Sequence, residues 1–397
     1  MTHDQGTPEG GAPEGGAPLA GLRVLELARI LAGPWAGQLL ADLGATVVKV
    51  ESPEGDDTRR WGPPFVSHDG ESAAAYFHAC NRGKRSVVAD LATPEGQGIV
   101  RRLAAEADVV IENFRVGGLD RFGLGHEALS ALNPRLVWCA ITGFGQDGPY
   151  AARAGYDAII QGMSGLMSIT GEAGGEPQKV GVAVTDLFTG VYATTAILAA
   201  IHQREATGRG QRIDMALLDV AVAITANQAM NYLASGVAPG RLGNAHPNIV
   251  PYQVFPCADG HAIVAVGNDA QFRRLCAALG LPFLAEDPAY ATNAGRLAAR
   301  ETLVPLLAAA TGAMTREALL AACEARGIPA GPINDMADVF ADPQVVARRL
   351  RIDAGGVPGV RAPLRFSDAP LALGRPSPRL GQDQGALDAD PPSGPWS

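Results

Sequence analysis

The run GLRVLELARILAGPWAGQLLADLGATVVKVE, residues 21–51, admits few folds. Residues 22–27 carry the continuous apolar pattern of a buried strand, Gly33-Pro34 opens a helix with proline at or near its first position, and Gly44 ends that helix before a second strand over residues 46–50. Strand, helix and strand within about thirty residues make a βαβ unit, whose strands run parallel because a crossover helix joins them.

The alternation continues. Residues 86–90, 109–112, 135–141 and 211–215 read as further strands, and a helix capped at Thr93-Pro94-Glu95 runs to about Ala105. Strands separated by helices are the sequence form of a parallel, doubly wound sheet, so a ligand crevice is expected beyond the strands' carboxyl ends. It is not expected to take a dinucleotide. The first βα turn lacks GxGxxG, and although GFGQDG at residues 143–148 matches those letters after a strand, Pro149 follows at once and no amphipathic helix opens there. Glu51 then reads as a charge at a strand end rather than a ribose-binding acid.

At 397 residues the chain exceeds one ordinary domain. Residues 1–18, mostly Gly, Pro, Glu and Ala, read as a disordered tail; residues 19–215 as a large α/β domain; residues 216–234 as one linking helix. Residues 235–325 read as a smaller α+β domain, residues 326–375 as a return to the large domain, and residues 376–397 as a frayed C-terminal tail. The fold class is α/β, with a Rossmann-like parallel-sheet large domain formed by N- and C-terminal parts of the chain and a smaller α+β domain. The first residues lack the basic and apolar regions of a signal peptide and no apolar run approaches 18 residues, so no membrane partner is expected. Five scattered cysteines without a CxxC pair, and seven histidines without HExxH spacing, point to a reducing, cytoplasmic compartment and to no metal. A net charge of −9 argues against nucleic acid as a partner, yet leaves room for a local cationic pocket that takes an anion.

The chemistry-bearing stretch is PQKVGVAVTDLFTGVYATTAILAAI, residues 177–201. Residues 180–184 are a β-branched run and the next fifteen carry small and apolar side chains at helical spacing, which predicts strand, tight turn and helix with Asp186 at the turn. An acid there lies beside unpaired N–H groups that favour its ionised form and can also hold a developing oxyanion. The plainer reading of Asp186 is an N-cap. Arg82, Lys84 and Arg85 cluster in CNRGKRSV, either as a phosphate-gripping loop or as a solvated basic turn.

Taken together, these stretches resemble the class III CoA-transferases, the family that includes formyl-CoA:oxalate and carnitine CoA-transferases and α-methylacyl-CoA racemase. The phrases that carry the resemblance run in order over about residues 19–370: RVLELARILAGPWAGQLLADLGATVVKVE, NRGKRSV, ENFRVGGLDRFGLG, ITGFGQDGPY, GYDAIIQGMSGLMSITG, VGVAVTDLFTG, GRGQRIDMALLD, GNAHPNIVPYQVF, GNDAQF and GIPAGPIND. The resemblance implies that Asp186 is the catalytic nucleophile, ionised at pH 7 from an ordinary pKa of about 3.9, which forms a mixed anhydride and then an aspartyl-CoA thioester. It implies coenzyme A contacts from Arg29, Ile30, Leu31, Ala32, Asn113, Phe114 and Arg121, the two arginines suiting phosphates. Lys84 and Arg85 are further candidates for those phosphates, and Tyr156 and Gln161 for the acyl pocket. No permanently bound cofactor is implied, coenzyme A thioester being a substrate. The implied partners are acyl-CoA, small carboxylic acids and a second copy of the chain in an interlocked homodimer, with crossings near residues 205–235 and 325–345.

Departures from the family pattern narrow the chemistry. Gly155-Tyr156-Asp157 stands where the racemases carry Gly-His-Asp, and a phenol with an ordinary pKa of about 10 is a poor proton carrier at neutral pH. Transfer is therefore favoured over a racemase-like isomerase; a non-catalytic acyl-CoA binding protein is the other alternative. Leu31 replaces a glutamine of formyl-CoA transferase and no tetraglycine run is present, which points away from formyl and oxalyl groups. HPNIVPYQVF and GNDAQF look like members that pass coenzyme A from succinyl-CoA to dicarboxylates such as glutarate, hydroxymethylglutarate, malate or itaconate. Arg59, Arg60 and Arg241 are the candidate cations for the free carboxylate of such an acid. The family's Gly-Glu-His-Thr phrase is replaced by Gly381-Gln382-Asp383-Gln384.

Overall fold

The computed structural model describes residues 16–388 and 394–396, so most of the tail expected over residues 1–18 lies outside the described residues. The elements begin with β1 (Arg23–Glu26), α1 (Ala32–Asp42) and β2 (Thr46–Glu51), the βαβ unit that opened the sequence. A hairpin of β3 (Phe65–His68) and β4 (Glu71–Ala74) leads to α2 (Ala75–Asn81), β5 (Arg85–Val88), α3 (Pro94–Glu106) and β6 (Val109–Glu112). Then come α4 (His126–Leu132), β7 (Val137–Thr142), α5 (Asp157–Met163), α6 (Val184–Thr207) and β8 (Arg212–Ala216). The six strands β5-β2-β1-β6-β7-β8 form one sheet with every pair parallel. From β1 the chain steps outward through β2 to β5, then returns to β6 on the other side of β1. Loops leaving the carboxyl ends of β1 and β6 therefore part to opposite faces, and a crevice opens between them.

Alternation along each strand fills both faces. Val24, Val47 and Val109 point into one core with Leu40 of α1 and Ile197 of α6, while Leu25, Val48 and Val110 point into the other with Leu103 of α3 and Leu129 of α4. The α6 helix is long and apolar enough to cross a membrane by length and composition, but Ala193, Ile197 and Ala200 sit in the sheet core. A Cβ added at Gly190 would stand 2.8 Å from the Ala32 carbonyl oxygen, so glycine allows α6 to pack closely on α1. That contact fixes the start of α6 relative to the turn after β1.

Four expectations need correction. Residues 180–183 are not a strand: no neighbouring strand offers them a ladder, and α6 begins at Val184, so position in the fold overrides β-branched propensity. The single helix expected over residues 216–234 is two, α7 (Leu217–Ile224) and α8 (Ala226–Ser235), broken where Ala226 takes a left-handed φ of 41°. Met167–Lys179 and Met230–Pro343 form a second compact unit, and the remainder forms the first. Within the second unit, β9 (Tyr252–Cys257) and β11 (Ala330–Pro332) both pair antiparallel with β10 (Gly260–Ala265), so the return to the first unit comes at Gln344 rather than near residue 326. The described part of the C-terminal tail is packed rather than frayed. The Asp383 carboxylate accepts from Ser86 N and the Gln384 side chain from Val88 N, while Leu387 and Trp396 join the second core.

Candidate active site

A cavity of about 420 Å³ opens at the carboxyl ends of β1, β6 and β7, where the strand order predicts a crevice. Residues 29–32 form its wall after β1, Asn113–Val116 with Arg121 the wall after β6, and Thr142-Gly143 the edge after β7. Residues 153–157, Asp186 and Leu217 close it.

Hydrogen bonds join the first two walls. The Asn113 side chain accepts from Arg29 N at 3.0 Å and donates to Arg29 O at 2.8 Å, tying the turn after β6 to the turn after β1. Ile30 holds a left-handed φ of 73°, a conformation that costs a β-branched residue roughly 1–2 kcal/mol. Its N–H donates to the Asp56 carboxylate at 3.2 Å, and Asp56 is fixed by Lys49 at 2.9 Å. Lys49, fully buried, also reaches Glu26 at 3.0 Å and the Ala28 carbonyl at 2.8 Å, so internal charges hold the turn in its strained shape. On the facing wall, Phe114 N donates to Glu112 at 2.8 Å.

Asp186 sits in the first turn of α6, and Ala183 at the N-cap has no side chain to offer that turn. Asp157, at the start of α5, supplies the cap instead. Its Oδ1 accepts from Thr185 N at 2.8 Å and Asp186 N at 3.4 Å; its Oδ2 accepts from Gln161 Nε2 at 2.6 Å. Gln161 Oε1 in turn accepts from Val180 N at 2.9 Å. A Cβ at Gly143 would stand 2.6 Å from Gly155 Cα, so two glycines let the turn after β7 approach the chain entering α5.

Burial, and after it the negative charge of Asp157, pushes the Asp186 carboxyl up to about 7. These outweigh the stabilisation that a helix N-terminus gives an anion. Asp186 is therefore not fully ionised at pH 7, which corrects the value carried over from model peptides. Tyr76 of α2 faces the same pair: burial and then the charge of Asp186 push its phenol up to about 12. At neutral pH it is a hydrogen-bond donor beside two carboxyl groups.

Of the residues singled out from the sequence, Arg29, Ile30, Leu31, Ala32, Asn113, Phe114, Arg121, Tyr156 and Asp186 line this cavity. Lys84 does not. It is buried, and its ammonium is bound by Glu26 at 2.8 Å, the Pro34 carbonyl at 2.8 Å and Asn81 at 2.9 Å, which uses its donors inside the protein. Arg85 is outside the cavity lining, and its guanidinium donates to the Pro395 carbonyl of the C-terminal segment. Gln161 is buried behind Asp157 rather than exposed in an acyl pocket. Arg59 is buried on Glu51 and Arg60 pairs with Asp57; Arg241, in the second unit, donates to the Glu172 and Gly175 carbonyls.

Asp157, Tyr76, Arg115 and Arg153 received no role from the sequence. Asp157 carries the one available signal, an acid at a helix start with a glutamine four residues on. Arg115 and Arg153 line the cavity, and the Arg153 guanidinium lies 3.9 Å from the centre of the Tyr150 ring. With Arg29 and Arg121 they set four cations against Asp157 and Asp186 in a chain of net charge −9. Such a cavity can take a polyanion along one wall and present a carboxylate nucleophile at its end. Among the described residues no group of three or more His, Cys, Asp or Glu is placed to hold a metal ion.

Comparison with known proteins shows the family. A family model described as CoA-transferase family III matches residues 19–384. The chain is 59% identical over 379 residues to a succinate–glutarate CoA-transferase of Agrobacterium fabrum, covering 94% of this chain and 95% of that one. It is 43% identical over 370 residues to a succinyl-CoA:glutarate CoA-transferase of Homo sapiens, covering 91% and 83%. Its fold is similar to the crystal structure of a CAIB/BAIF family protein from Brucella suis, with a TM-score of 0.87 and 60% identity over 95% of this chain and all of the other.

Proposed function

The chain belongs to CoA-transferase family III and is a CoA-transferase, and from that premise we propose that it moves coenzyme A from succinyl-CoA to a dicarboxylic acid such as glutarate through covalent intermediates on Asp186. The observation that carries the reading is Asp186 in the wall of a cavity that also presents Arg29, Arg115, Arg121 and Arg153. The guanidinium groups suit the phosphates of coenzyme A and the free carboxylate of the acid. Relatives that act on succinyl and glutaryl groups support the choice of acids.

In the proposed sequence, an ionised Asp186 oxygen attacks the thioester carbonyl. The tetrahedral oxyanion collapses, the carbon–sulfur bond breaks, and CoA thiolate leaves a mixed anhydride on Asp186. Thiolate then attacks the aspartyl carbonyl, the donor acid departs as carboxylate, and an aspartyl-CoA thioester remains. The acceptor carboxylate attacks that carbonyl and releases thiolate; thiolate attacks the acceptor's acyl carbon, and the new acyl-CoA departs as the Asp186 carboxylate reforms. The Tyr76 phenol, protonated at neutral pH near both acids, is the donor proposed for the oxyanions, since Thr185 N and Asp186 N are already taken by Asp157. The proposal includes an interlocked homodimer in the cytoplasm, which light scattering on the purified protein addresses.

The decisive experiment follows labelled glutarate into acyl-CoA in the presence of succinyl-CoA, with Asp186→Asn alongside. Exchange by the wild type and its loss in the variant, by roughly 10³-fold or more, is the expected result. Incubation with succinyl-CoA followed by hydroxylamine should mark Asp186. No exchange over a panel of dicarboxylates, or an active Asp186→Asn protein, overturns the reading.

A further inference from the structure

Gln161 is wholly buried, and each end of its amide is spent on one partner. Nε2 donates to Asp157 Oδ2 at 2.6 Å, one helical turn back along α5, and Oε1 accepts from Val180 N at 2.9 Å. The Asp157 carboxylate, so held, caps Thr185 and Asp186 through its other oxygen. The chain entering α6 is thus fastened at both ends: at Val180 directly by Gln161, and at residues 185–186 through Asp157. Residues 180–183 belong to no strand, so these bonds replace the sheet ladder that would otherwise fix their path.

We propose that Gln161 is a positioning residue for acyl transfer: by clamping the Asp157 carboxylate to the Val180 amide it sets where the first turn of α6 presents Asp186. The inference rests on the transferase reading above and adds a residue that touches no substrate. Gln161 also stabilises the negative charge that Asp157 turns toward Asp186. Among the described residues, the titratable groups facing Asp186 are Asp157 from α5 and Tyr76 from α2, with Arg29, Arg115, Arg121 and Arg153 as the other charges of the cavity, and only Asp157 touches the side chain at position 161.

Two variants test this in the full-length enzyme, by succinyl-CoA:glutarate exchange from pH 5.5 to 9. Gln161→Met keeps the volume but removes both bonds. Its kcat is expected to fall at least tenfold with KM for succinyl-CoA within about twofold, because Asp186 is no longer held in place while the substrate-binding wall is untouched. Gln161→Glu keeps the acceptor for Val180 N but brings a carboxyl against Asp157, so the acid limb of kcat/KM is expected to move to higher pH. A loss of kcat at kept KM in Gln161→Met, together with an upward limb in Gln161→Glu, supports the proposal. An unmoved limb in Gln161→Glu means a merely structural residue and overturns it, as does wild-type kcat in Gln161→Met or a KM that rises as far as kcat falls. Should Gln161→Met fail to fold, the limb of Gln161→Glu alone decides: moved upward it supports the proposal, unmoved it overturns it. A wild type that exchanges no dicarboxylate removes the transferase reading and this inference together, an outcome distinct from the others because the variants play no part in it.

Discussion

Asp157 accepts from the backbone N–H of Asp186, so one carboxylate caps the helix that presents the other. The same contact that orients Asp186 also opposes its ionisation, since two negative charges then face each other in a partly buried site. A nucleophile with its pKa near neutrality keeps more basicity than an ordinary carboxylate and still ionises at working pH.

Replacing Asp157 should separate orientation from charge. Asp157→Asn retains an oxygen that can accept from Thr185 N but removes the negative charge. The acid limb of kcat/KM, expected near pH 7 in the wild type, should move down by about one unit. Steady-state exchange rates between pH 5 and 8 measure this, and an unmoved limb breaks the link between the two acids.

Asp186 should also leave a mark on stability. Its folded pKa of about 7 lies above the ordinary 3.8, so between those values the native state binds more protons than the unfolded chain and stability falls as pH rises. Asp186→Asn escapes that loss. The variant is expected to melt about 2–4 °C above the wild type at pH 8, with the difference vanishing below about pH 4. Scanning calorimetry of both proteins at the two pH values checks it; a variant no more stable at pH 8 contradicts it.

Lys84 and Arg121 make an opposed pair. Lys84→Met strands buried Glu26 beside Lys49 alone and should cost about 3–5 kcal/mol of stability, while KM for acyl-CoA of the folded enzyme stays within about twofold. Arg121→Ala should leave the melting temperature in place and raise that KM about tenfold. Melting curves with initial-rate kinetics on both variants decide the matter. A large KM effect from Lys84→Met would return that lysine to the phosphate site.

Much of the first unit was legible because its signals are local. The apolar strand at β1, Pro34 inside α1, Gly44 after it and Thr93 capping α3 each act within a few residues, and together they specify a parallel sheet with a crevice at its carboxyl ends. Asp186 was found through its neighbours in sequence and through family resemblance. Val180 to Val184 misled, because β-branched residues favour a strand only where a partner strand is available.

What the sequence by itself determined is the alternation of strands and helices that builds the parallel sheet, the turn residues between them, and the presence of one acid at the head of a long apolar helix. Tertiary structure alone decided how the charges divide. It sent Lys84 and Lys49 inward to Glu26 of β1 and Arg59 inward to Glu51, left Arg115 and Arg153 in the cavity, and turned Asp157 and Gln161 into the frame around Asp186. The physical reason is range: propensity and capping act along the chain, whereas burial and ion pairing depend on groups that only the folded backbone brings together.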